Sequence, residues 1–285
     1  MIDPKYPHYS KLKKYLTKEH LEIYKSLTQK FSYYDYFDNS QLNIIKNSRK
    51  SLVFSYKNLL IKVCFVRTSS SREIYFSHLF YPIEIFAFIV NDGCMLFLPL
   101  YSNDLNYYLK QNSLPEIYNN LEKDLFLQII NFHNNFAIHY DINPRNIVST
   151  KNVEDDLYDW RIIDFGLMYT FLPSNSEPLS IQFIINSNLA KNRKDCGGFE
   201  SEWPLEKKFQ NFSEKSKLFW LYMIDWYDYI YILNLIKPCE YYVRLLKDTS
   251  LLITPPIINF IKELFKKYES HINQKPFYIM NVAKI

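Results

Sequence analysis

Ile138-His139-Tyr140-Asp141-Ile142-Asn143-Pro144-Arg145-Asn146-Ile147-Val148, followed by Ile162-Ile163-Asp164-Phe165-Gly166, is the stretch that decides how this chain reads. Two carboxylates and one amide stand in fixed order: Asp141, Asn146 five residues on, and Asp164 ahead of Phe165-Gly166. Singly, each is an ordinary turn or cap residue, because Asp and Asn hydrogen-bond their own backbone. Together they form an oxygen-rich set of a kind that suits a hard divalent cation.

The order H-x-D-x-x-x-x-N followed by D-F-G resembles the signature of eukaryotic-type protein kinases. In that family one carboxylate orients the attacking hydroxyl, while an Asn oxygen and a second carboxylate hold divalent ions on the nucleotide phosphates. The resemblance implies Asp141 as the catalytic base, Asn146 and Asp164 as metal ligands, and ATP with Mg²⁺ or Mn²⁺ as cofactors. The fold it implies is α+β and two-lobed, with a small five-stranded antiparallel lobe plus one helix and a large, mostly helical lobe. The corresponding domains are residues 42–100 and 101–285, behind an N-terminal helical extension over residues 1–41.

Upstream of the motif the pattern supports a small β-rich lobe. Leu42 to Ile45, Leu52 to Tyr56 and Leu59 to Val66 are rich in Ile, Val and Phe, with breaks at Asn47-Ser48 and Lys57-Asn58. A helix is expected next, then strands over Ile83 to Val90 and Cys94 to Leu98, joined by a hairpin with an Asp92-Gly93 turn. Lys62, on the third strand, is similar to the lysine that grips the α and β phosphates in the family. Glu73 is its expected partner. The competing role for Glu73 is a capping box with Ser70 at the N-cap. Leu60 stands where the family has a small residue against the adenine, and Leu100 and Tyr101 fall in the hinge, Pro99 to Leu105. These five residues form the expected cofactor-binding set.

The chain departs from the family at several points. Lys46-Asn47-Ser48-Arg49-Lys50-Ser51 replaces the glycine-rich loop, whose glycines let backbone N–H groups approach phosphate. Tyr140 replaces the Arg that meets a phosphorylated activation loop, which implies activity without such phosphorylation. Asn143 replaces a Lys, while Pro144 is Ser/Thr-kinase-like and Arg145 tyrosine-kinase-like; on balance a Ser/Thr substrate is favoured. The activation-type segment ends in Trp203-Pro204-Leu205-Glu206, an imperfect A-P-E with Glu206 as partner for a large-lobe Arg, and Phe199 replaces a Thr. Ser180-Ile181-Gln182-Phe183 is similar to kinase-like proteins of large DNA viruses. The functional expectation is transfer of the γ-phosphoryl of ATP to a protein hydroxyl. Two alternatives stay open: a pseudokinase scaffold, and a kinase of small molecules.

Leu121 to Asn134 has the periodicity of a long amphipathic helix, and His133 and His139 are expected in structural roles. Leu218 to Ile236 is apolar, but Asp225 and Asp228 interrupt it, so a buried core helix is expected rather than a membrane span. Asp225 or Asp228 would brace the motif loop. Pro255 to Tyr268 reads as a last amphipathic helix. In residues 1–41, Leu12, Leu16, Leu21, Tyr24 and Leu27 give helical spacing.

With 34 basic against 30 acidic residues the charge is near balance and no run of Lys and Arg is long enough to argue for nucleic acid; the expected macromolecular partner is a protein substrate. Cys64, Cys94, Cys196 and Cys239 make no C-x-x-C pair, and no apolar leader is visible. A reducing, cytoplasmic setting is the expectation.

Overall fold

The computed structural model describes residues 43–47, 51–56, 59–64, 67–81, 86–90, 93–111, 115–151, 157–170, 214–247 and 255–273. The architecture is α+β, and the chain divides after Tyr101 into two compact units. The expected N-terminal helix, residues 48–50 of the Lys46–Ser51 turn, and the segment carrying Ser180–Phe183, Phe199 and Trp203–Glu206 lie outside the described residues.

The first unit holds β1 (Asn43–Asn47), β2 (Ser51–Tyr56), β3 (Leu59–Cys64), α1 (Arg67–Phe80), β4 (Phe86–Val90) and β5 (Gly93–Pro99). The strands form one antiparallel sheet in the order β1-β2-β3-β5-β4. Leu60 is opposite Leu98, and Lys62 is opposite Leu96. Directly opposed residues share a face, so the four line one side of the sheet. Leu96 and Leu98 are buried there, and Leu60, Ile74 and Tyr81 pack on them. Each such leucine contributes about 1.5–3 kcal/mol through burial.

One competing reading falls and one local expectation is corrected. The helix begins at Arg67, so Ser70 lies within it and is not an N-cap. Val90 is paired with Gly93, which places Gly93 in the strand and not in the turn.

In the second unit, β6 (Asn103–Asp104) leads into α2 (Leu105–Lys110), where the Asp104 carboxylate caps the helix by accepting from the Tyr107 amide at 2.7 Å. α3 (Leu121–Asn134) buries Leu121, Leu125, Phe126, Ile129, Ile130 and Phe132 along its inner stripe. β7 (Ala137–Ile138) pairs with β10 (Tyr169–Thr170), while β8 (Ile147–Lys151) and β9 (Tyr158–Ile162) complete a sheet of order β6-β8-β9. The outer edge of β9 is met by side chains of α3. Asp124 Oδ2 accepts from the Trp160 amide at 3.0 Å, Gln128 Nε2 donates to Trp160 O at 2.7 Å, and Gln128 Oε1 accepts from Ile162 N at 2.8 Å.

α4 (Glu214–Ile236) is buried all round from Tyr222 to Ile230, which explains its near-continuous apolar sequence. No helix among the described residues is long and apolar enough to cross a membrane. Phe126 packs against Trp226, Phe265 and Tyr268 at 5.2–5.7 Å between centroids, joining α3, α4 and α6 (Pro255–Lys267). Between α4 and α6 lies α5 (Glu240–Lys247).

Candidate functional site

The loop from His139 to Asn146 links β7 to β8, and Ile163-Asp164 follows β9. Because β8 and β9 are antiparallel, with Ile147 opposite Ile162, Asn146 and Asp164 come to the same end of that ladder. Ile163 ties the two segments. Its amide donates to Asn146 O at 2.8 Å, and its carbonyl accepts from His139 Nε2 at 3.1 Å.

A carbonyl can only accept, so His139 carries its proton on Nε2. Its Nδ1 is then the acceptor facing the Asp141 amide at 3.4 Å. The single imidazole thus touches both the residue before Asp164 and the backbone of Asp141. Burial holds its pKa below 6.5 against the opposing pull of Asp225 and Asp164, which keeps it neutral.

Asp225 underlies the loop. Its Oδ2 accepts from His139 N at 2.8 Å and from His133 Nε2 at 3.1 Å, and its Oδ1 accepts from Tyr140 N at 2.9 Å. Burial alone would push this carboxyl up, but the His133 hydrogen bond, the two histidines and the His139 amide hold it below its ordinary value. His133 is lowered, chiefly by its own burial. Of the two aspartates expected to brace the loop, Asp225 makes these contacts.

Asp141 is held from two sides. Asn146 Nδ2 donates to Asp141 Oδ2 and to its carbonyl, each at 2.9 Å, while Asn143 Nδ2 donates to Asp141 Oδ1 at 3.0 Å. With its nitrogen turned to Asp141, Asn146 keeps Oδ1 as the end able to ligate a cation.

The backbone at the site is strained. Tyr140 and Asp164 have φ of 68° and 70°, in the left-handed region that side-chain-bearing residues avoid. Phe165 anchors the second segment, buried edge-on against Phe132 and His139.

Among the described residues, no three His, Cys, Asp or Glu side chains converge as a metal cage. The pair Asn146 and Asp164 instead offers two hard oxygen donors. That set fits an ion such as Mg²⁺, which completes its shell with water and phosphate oxygens.

Lys62 and Glu73 belong to the first unit. Lys62 Nζ on β3 is 3.0 Å from Glu73 Oε1 on α1, with both side chains largely buried. Leu60 packs on Leu96 and Leu98, and Leu100 is exposed. The Tyr101 hydroxyl is buried without a hydrogen-bond partner, and desolvation pushes its pKa to about 12.

Sequence reading missed the part played by Asn143. The available signal was local: an Asn two residues after an Asp in a Pro-containing loop commonly makes side-chain to backbone bonds. Compared with known proteins, the chain matches no family model and no curated protein.

Proposed function

We propose that the chain is a eukaryotic-type protein kinase with a two-lobed fold, transferring the γ-phosphoryl of ATP to a protein hydroxyl, Ser or Thr being favoured. The observation that carries this reading is the Asp141 carboxylate, fixed between two amides at the ladder end where Asn146 and Asp164 also lie. A five-stranded antiparallel sheet with one helix, bearing the Lys62–Glu73 ion pair, adds support.

Asp141 accepts the hydrogen bond of the substrate hydroxyl and orients its oxygen for in-line attack. Asn146 Oδ1 and the Asp164 carboxylate hold Mg²⁺ or Mn²⁺, which when bound neutralises charge developing on the phosphates. Lys62, kept in place by Glu73, meets the α and β phosphates, and Leu60 lines the adenine side. Leu100 and Tyr101 supply hinge backbone. Tyr140, which takes the place of an Arg, leaves that position without a docking cation for a phosphorylated segment.

The test is incubation with labelled ATP and Mg²⁺ or Mn²⁺, beside Asp141→Asn and Asp164→Ala. Transfer to self or to generic protein substrates is expected in the wild type and absent in both variants. Transfer surviving both substitutions removes the site assignment. Absence of transfer together with absence of a nucleotide-induced thermal shift favours a scaffold with this fold.

A further inference from the structure

Asn143 is a buried polar residue, only 3 % exposed, in the middle of the loop that presents Asp141. Its side-chain oxygen accepts from the Arg145 amide at 3.0 Å. A backbone N–H can only donate, so this bond fixes which end of the Asn143 amide is oxygen. The nitrogen end therefore faces Asp141, where it lies 3.0 Å from Oδ1 and 3.2 Å from the carbonyl. Asn146 mirrors it on the other carboxylate oxygen at 2.9 Å.

We infer that Asn143 is a positioning residue for Asp141, an uncharged amide that locks the carboxylate plane for the incoming hydroxyl. The inference rests on the kinase reading above. A carboxylate gripped at one oxygen can swing about its terminal torsion, which is broad and roughly two-fold. Gripped at both, its plane is fixed. The residue that stands at this position in the proteins the loop resembles is a cation near phosphate. Here the side chain turns to the carboxylate instead, so nucleotide affinity is independent of it while turnover depends on it.

Asn143→Asp separates positioning from mere loop structure. It keeps an oxygen for the Arg145 amide but replaces the donor facing Asp141 with a second acceptor. In both Asn143→Asp and Asn143→Ala, kcat is expected to fall roughly 100-fold while KM for ATP stays within about twofold. Wild-type kcat in Asn143→Asp would overturn the inference, and so would a rise in KM for ATP matching the fall in kcat. A second readout needs no turnover. The side-chain amide proton signals of Asn143, identified by their loss in Asn143→Ala, should move upfield in Asp141→Ala when the carboxylate acceptor is removed. Unmoved signals overturn the inference even if the wild type transfers no phosphate, an outcome that by itself would count only against the kinase reading.

Discussion

Asp225 Oδ1 accepts the amide hydrogen of Tyr140 at 2.9 Å, gripping the backbone where φ is 68°. The other oxygen takes the His139 amide and the His133 ring, so one buried carboxylate fixes two consecutive peptide units. The strained residue just before Asp141 is therefore held by a side chain 85 positions away in sequence.

Asp225→Ala leaves two buried amides and a histidine N–H without their acceptor. A loss of about 3–5 kcal/mol is expected, against about 1–3 kcal/mol for Asp225→Asn, which retains one acceptor oxygen. Chemical denaturation followed by tryptophan fluorescence measures both, since Trp160 and Trp226 are buried in the same unit. Equal stability of Asp225→Ala and wild type would contradict the bracing role.

Acid should weaken the second unit in two stages. His133 and His139 have folded pKa values below 6.5, so below that pH the unfolded chain binds protons that the fold refuses. Stability falls as pH drops from 6.5, by up to about 1.4 kcal/mol per pH unit for each histidine. Asp225, also depressed, adds a further loss as pH falls below 3.8 toward its folded value. In His133→Gln the first stage should be shallower; an unchanged slope in denaturation midpoints between pH 7 and 5 would count against it.

Lys62 and Glu73 should show strong energetic coupling in the first unit. Lys62→Met removes the ammonium beside a buried carboxylate and is expected to cost about 3–5 kcal/mol, whereas the double variant Lys62→Met/Glu73→Gln recovers part of that loss. A double-mutant cycle with no interaction energy would contradict the ion pair.

Tyr140 is buried, and its position offers no cation to a phosphorylated segment. Phosphatase treatment is expected to leave the initial rate of transfer unchanged. A fall to background after treatment, restored by rephosphorylation, would reverse this.

Elements whose sequence period matches one packed face were legible in advance. α3 has the bounds Leu121–Asn134 read from its periodicity, and the order of strands with one helix after β3 follows from the β-rich runs and their breaks. Boundaries set by non-local pairing were not. The competing capping box at Ser70 fails because α1 already begins at Arg67, with no acidic residue in its first turn to mark that start. Register across β4 and β5 drew Gly93 out of the turn that its Asp-Gly dipeptide suggests. Asp225 and Asp228 sit one helical turn apart and are both buried, so the contacts of Asp225 with the loop follow only from the fold. The role of Asn143 depends on the loop path that turns its nitrogen to Asp141 and its oxygen to the Arg145 amide, which the resemblance to a replaced lysine does not convey.

Asp124 and Gln128 supply β9 with the donor and acceptors that a further strand would otherwise provide. The exposed ladder that invites sheet-to-sheet aggregation is thereby closed along Trp160 and Ile162. Polymerisation of this sheet through β9 would first require α3 to release two side chains. Gln128 also acts as a ruler: a one-residue slip of β9 would turn the wrong backbone groups toward it, so the helix guards the alignment that delivers Asp164.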